Sequence, residues 1–130
     1  MHESITIGVM FVAVAVALAF VALGSLLREP ARQRFMAVFA GGAAATYLDG
    51  GLGVAEFAFL AVGSYVAYRG LTHYRWIGLA WLMHTAWDVV HHLEGLPLLE
   101  ADPLSSAGCA ITDALIAVWF LRGAPSFFRR

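Results

Sequence analysis

The sequence predicts an all-α protein, a polytopic transmembrane helical bundle of five spans, and three observations carry that expectation. Of 130 residues, 61% are hydrophobic and only 13% charged, where a soluble domain carries about 25% charged residues; the mean hydropathy is +0.76. Apolar stretches approaching the roughly 20 residues that cross a bilayer recur along the chain. The cationic side chains, all arginine, fall between these stretches in a pattern that a five-span arrangement gathers on one side.

The spans follow in order. Ile5–Leu27 runs 23 residues without a charge. A signal peptide has a basic start and an apolar core of about 7–15 residues, whereas here His2 and Glu3 precede the stretch, so it reads as a retained helix. Ala31–Leu48 and Gly53–Tyr68 are shorter, and Asp49-Gly50-Gly51-Leu52-Gly53 separates them. That pentapeptide reads as a tight turn between two helices or as a break inside one long helix, which would leave four spans. Tyr74–Leu93 and Leu104–Leu121 complete the set.

Arginine positions decide between five and four. With five spans, Arg28, Arg32, Arg34, Arg69, Arg75, Arg122, Arg129 and Arg130 all share one side, and Glu3, Asp49, Glu94, Glu100 and Asp102 the other. With four, Arg28–Arg34 and Arg69–Arg75 part company. The positive-inside rule then expects a multi-pass protein of the cell membrane, N-terminus outside and C-terminus cytoplasmic. Residues 1–130 read as one membrane domain, with lipids as its surroundings. The run Gly41-Gly42-Ala43-Ala44-Ala45 and the alanines at 13, 15, 17 and 19 offer small faces for close helix approach, within one chain or in a homo-oligomer. A net charge of −1 gives no footprint for nucleic acid. The single Cys109 permits no internal disulfide.

The functional signal is the ionisable residues placed at membrane depth. Each costs roughly 2.5–3.5 kcal/mol to insert, so such groups are found with partners or a purpose. His84, Asp88 and His91 stand at i, i+4 and i+7 on the fourth span and share a face, with His92 beside its outer end. Asp49 and Glu56 belong to the outer ends of the second and third spans. Cys109, Thr112 and Asp113 follow Ser105 on a stripe of the fifth. All of these lie in the outer half of the bundle, which points to one outward-facing polar cavity. His73 sits in an arginine loop and reads as a solvated residue. Interhelical hydrogen bonds alone average about 0.6 kcal/mol, and three histidines with three acids exceed what such bonding needs.

Three chemistries fit the set. His84, His91 and either Asp88 or Asp113 count as zinc ligands with an open fourth position, where bound water becomes a nucleophile near neutral pH. Without a metal, His–Asp pairing supports general acid–base catalysis. A proton relay of Asp and His would suit an ion-coupled transporter. The reading adopted is an enzyme acting on a lipid or other apolar small molecule, a hydrolase or isomerase. Its core would be His84, Asp88 and His91, completed by Asp113 and Glu56, with His92, Asp49, Cys109 and Thr112 around them. The competing reading is a proton- or cation-coupled transporter, or a ligand-binding membrane protein, using the same residues.

Some resemblances bear on this choice. His-x3-Asp-x2-His-His is similar to the histidine boxes of membrane fatty-acid hydroxylases and desaturases, but their di-iron sites imply about eight histidines, and this chain has five. The His, Asp and Ser set looks like the zinc site of alkaline-ceramidase and adiponectin-receptor hydrolases, which have seven helices. A closer likeness rests on Tyr47-Leu48-Asp49-Gly50-Gly51-Leu52-Gly53-x2-Glu56-Phe57-Ala58-Phe59, Tyr68-Arg69-Gly70-Leu71, Ile77-Gly78-x-Ala80-Trp81-x2-His84-Thr85-Ala86-Trp87-Asp88-Val89-Val90-His91-His92 and Asp102-Pro103-x-Ser105-Ser106-x-Gly108-Cys109-Ala110-Ile111-x-Asp113. These segments, across roughly residues 40–125, resemble a family of small integral membrane proteins of bacteria and fungi, a domain of unknown function. The resemblance implies a membrane protein of unassigned activity and supplies no catalytic residues.

Overall fold

The computed structural model of the chain describes residues 5–128; His2, Glu3, Arg129 and Arg130 lie outside them. The described residues form five helices: α1 (Ile7–Ser25), α2 (Ala31–Ala43), α3 (Val54–Arg69), α4 (Tyr74–Leu93) and α5 (Ser105–Leu121). They contain no strand, and an isolated bridge joins Leu99 to Asp102. The region 31–68 is therefore two helices and not one broken helix. By length and composition α1 alone of the described helices is long and apolar enough to cross a membrane, and α5 is apolar but shorter. At 20 residues α4 has the length, and its polar residues hold down its hydropathy.

The element boundaries have local causes. Thr6 caps α1, its hydroxyl accepting from the Val9 N–H at 3.2 Å, one of the four donors a helix start leaves unmet. The second helix was expected to reach Leu48 but ends at Ala43. Gly41 and Gly42 weaken the last turn. Beyond them Ala45, Thr46 and Leu48 donate to the carbonyls three residues back, at 3.1, 3.1 and 3.2 Å, so the chain continues in tighter turns.

Small residues let the helices approach. A Cβ on Gly78 would stand 2.7 Å from Leu121 Cγ, so glycine is what permits the close crossing of α4 and α5. Elsewhere α5 lies between α1 and α4, while α2 and α3 pair and lean on α4. Phe20, Phe39, Trp81, Trp119 and Phe120 interlock at the centre of the bundle, with Trp81 against His84.

Helix direction alternates, and this sorts the charges. The arginine-bearing segments meet at one end: Arg32 donates to Ala124 O at 3.0 Å, Gln33 to Gly70 O at 3.0 Å, and Tyr74 hydroxyl to Glu29. At the opposite end the 49–53 turn reaches the 94–104 loop, where a Cβ on Gly51 would lie 3.2 Å from Leu96. Along the helices the apolar side chains Phe11, Val16, Phe57, Val62, Leu82, Val89, Leu115 and Val118 are exposed, while Glu56, His84, Asp88 and His91 are buried. A soluble domain distributes these types the other way.

Candidate functional site

The buried polar residues form two units joined by a ring contact. In the first, Tyr47 comes from the tightened turns after α2, Asp88 from α4, and Ser106 and Asp113 from α5. Tyr47 Oη lies 2.7 Å from Asp88 Oδ1 and 2.6 Å from Ser106 Oγ. Ser106 Oγ also accepts the Leu98 N–H at 2.9 Å. Proton counting orders the chain: a carboxylate accepts, so Tyr47 donates to Asp88, and Ser106 donates to Tyr47. Beyond Asp88 stands the Asp113 carboxyl of α5, near enough for the two acids to interact. Asp88 Oδ2 is buried without a hydrogen-bond partner, and two neighbouring carboxyls are able to share one proton.

The second unit is His91 and Glu56, 0% and 2% exposed in their side chains, with Nε2 and Oε1 2.8 Å apart. That approach is short enough for an ion pair but lacks hydrogen-bond alignment, and neither atom has another partner. His91 Nδ1 faces Leu96 O at 3.1 Å; a carbonyl accepts, which assigns a proton to Nδ1. A second proton is therefore needed between Nε2 and Glu56 to avoid two facing lone pairs. Trp87 Nε1 donates to the other oxygen, Glu56 Oε2, at 2.9 Å. Tyr47 and His91 stack with centroids 3.8 Å apart, joining the two units. Gly50 roofs the pair: a Cβ there would stand 2.6 Å from His91 Cε1 and 2.9 Å from Glu56 Oε1.

His84 lies one turn from Asp88. Its Nδ1 donates to Ala80 O at 2.6 Å, leaving Nε2 with its lone pair buried and unpartnered. Phe59 meets the ring edge-on at 5.4 Å. The contact to Ala80 fixes the orientation of the ring and turns Nε2 into the buried core.

The five core residues expected from the sequence (His84, Asp88, His91, Asp113 and Glu56) come together here. Of the surrounding four, Cys109 and Thr112 stand beside Asp113, while Asp49 and His92 border other clefts. Asp49 is exposed, on the rim of a cleft of about 670 Å³ between the 45–51 and 95–103 segments. His92 turns away from His91 and borders an apolar groove with Ile5 and Val89. Thr112 donates to Ala13 O at 3.1 Å, a bond between α5 and α1. Cys109 is half-buried and lines, with Thr112 and Asp113, a separate apolar groove. Solvated His73 is exposed as expected.

Among the described residues, no three His, Cys, Asp or Glu side chains are grouped so as to hold an ion. His84, Asp88 and His91 share their stripe; both Nδ1 atoms are turned to backbone carbonyls and His91 Nε2 to Glu56.

Two members escaped the sequence reading, Tyr47 and Ser106. A family model described as "Family of unknown function (DUF6010)" matches residues 8–126. The chain belongs to this family. The DUF6010 match takes in every residue of both units. No curated protein and no solved structure matches the chain.

The groove that Asp113 lines is the other half of the site. It measures about 750 Å³, within the range of ligand sites, and its walls are Val9, Val12, Val16 and Phe20 of α1, Phe39 of α2, Trp81 of α4 and Ile116 of α5. The DUF6010 chain thus places two neighbouring carboxyls, Asp88 and Asp113, beside an apolar groove.

Proposed function

We propose that the chain is a five-span integral membrane protein, N-terminus outside and C-terminus cytoplasmic, whose buried polar core is an acid–base site for a lipid or other apolar molecule. The membrane reading is supported by the outward apolar side chains on α1, α3, α4 and α5 and by the arginines at one end, the side that positive charge favours. In water such a surface would be an aggregation liability.

The observation that carries the enzymatic reading is Asp113, paired to Asp88 and bordering the apolar groove. An acid pair with one proton between its members can take a proton and give one without leaving the site changed. Groups that act this way contribute about 10²–10⁴-fold to rate. Tyr47 and Ser106 hold Asp88 from the loop side. His84 Nε2, buried without a partner, stands one turn away as a further proton-accepting atom. Transport has less support: α4 from Tyr74 to Met83 and α5 from Ala114 to Leu121 contain no acid or histidine to carry a proton toward the arginine end.

The test is to reconstitute the protein into vesicles of total lipid extract in D₂O and, separately, in H₂¹⁸O, then follow the lipids by mass spectrometry. Deuterium on carbon marks isomerisation, and ¹⁸O in a product marks hydrolysis. Either is expected for wild type and absent for Asp88→Asn and Asp113→Asn. Folded wild type that labels and consumes nothing overturns the enzymatic reading.

A further inference from the structure

Resting on that acid–base site, we infer that the groove between α1, α2 and α5 takes a single-chain apolar molecule with an uncharged hydroxyl head, and rejects phosphate and carboxylate heads. Among the described residues lining the groove there is no arginine, lysine or histidine. Its ionisable members are Asp113 at the polar core, Asp102 at the loop end and the Cys109 thiol. An anionic head would meet like charge with no cation to offset it, in surroundings that screen poorly. The arginines that would serve a phosphate are at the opposite end of the bundle.

The unmet hydrogen-bonding groups narrow the head further. Trp81, a wall of the groove, has its indole N–H buried with no acceptor, and Asp113 in the same wall brings carboxyl oxygens that accept. A hydroxyl accepts and donates, so it complements both needs. An ammonium only donates, and a carbonyl only accepts. The remaining lining is aliphatic and aromatic, which suits a chain and offers nothing to a second polar group.

Cys109 is the chain's only cysteine and lines this groove, so its alkylation reports occupancy. Protein in nanodiscs is treated with N-ethylmaleimide at increasing mole fractions of oleyl alcohol, oleylamine or oleic acid, which share one chain and differ in the head. Oleyl alcohol is expected to slow labelling at mole fractions at least tenfold below those needed for oleate or oleylamine. Asp113→Asn narrows the gap between alcohol and oleate. Gly108→Leu, which adds bulk where a Cβ meets Val9 only at 3.8 Å, removes protection by all three and leaves the acid pair intact. Equal or better protection by oleate or oleylamine, or none by the alcohol, overturns the inference, and the wild-type comparison decides it even if a variant fails to fold. Binding of the alcohol without turnover of any lipid would instead defeat the enzymatic reading alone.

Discussion

The imidazole of His91 lies nearly flat on the phenol ring of Tyr47, with centroids 3.8 Å apart and planes 16° from parallel. This stack couples two proton-sharing groups that have no hydrogen bond in common. One runs Ser106–Tyr47–Asp88–Asp113 and borders the apolar groove; the other is His91–Glu56 beneath the glycine turn. A change at Tyr47 therefore reaches both.

Tyr47→Phe keeps the stack and removes the hydroxyl. Asp88 Oδ1 loses its donor and Ser106 its acceptor, and a buried polar group left unmet costs about 1–3 kcal/mol. We expect a stability loss of that size in detergent-based unfolding, together with loss of lipid labelling. Tyr47→Leu, which also removes the ring, should lose more. Wild-type stability in Tyr47→Phe would refute the chain as drawn.

Glu56 and His91 are predicted to behave as one unit. Removing one partner of a buried pair costs about 3–5 kcal/mol, whereas replacing both with apolar residues is often close to neutral. Glu56→Leu and His91→Leu should each destabilise strongly, and the double variant should be more stable than either. Additive losses in a double-mutant cycle would show that the 2.8 Å contact carries no coupling.

Two glycines nine residues or fewer apart should respond oppositely to alanine. At Gly50 a Cβ meets His91, Tyr47 O and Glu56 at 2.6, 2.8 and 2.9 Å, while at Gly42 nothing lies within 4 Å. Gly50→Ala is expected to cost about 1–3 kcal/mol through overpacking. Gly42→Ala, in a helical turn, should gain up to about 1 kcal/mol. Thermal denaturation of the two variants gives the comparison.

Helix number and the start of α2 and both ends of α4 were legible because arginine loops and apolar length bound them. The five core acids and histidines were legible as well, since a charge inside an apolar stretch is conspicuous. What escaped was tertiary. His91 and His92 are adjacent, yet about 100° apart around the helix, so only one faces the core. Asp49 stands two residues from Tyr47 and points out while Tyr47 points in, because the tightened turns after Ala43 break the helical spacing. Tyr47 and Ser106 carry no charge to mark them in an apolar stretch; their worth comes from meeting across 59 residues of sequence, which no local pattern records.

Arg32 should govern the arginine end. It is 7% exposed, and its guanidinium donates to Leu27 O and Ala124 O, both at 3.0 Å. Arg32→Met leaves both carbonyls short of a charged donor, worth about 1.5–3 kcal/mol. Faster tryptic cleavage after Arg122 is expected, because the segment beyond it is held partly by this link. Unchanged cleavage would mean that the Ser25 contacts to Ser126 and Phe127 suffice.

The membrane reading makes a depth-dependent prediction. Val62 and Leu82 are exposed on α3 and α4, so arginine there should cost roughly 2.5–3.5 kcal/mol of insertion near mid-membrane. Val62→Arg and Leu82→Arg should fail to insert in a glycosylation-tag assay, and Val62→Leu should insert as wild type. Normal insertion and solubility of both arginine variants would place those faces in water.

The groove divides its walls unevenly. From Val9 to Phe20 its α1 wall is apolar, while the proton-holding groups belong to α4, α5 and the turns beside them. Under the proposed function, chain length and reactivity would be set by separate stretches of sequence. Substitutions along α1 could re-tailor the size of guest admitted, generation after generation, without disturbing a single proton.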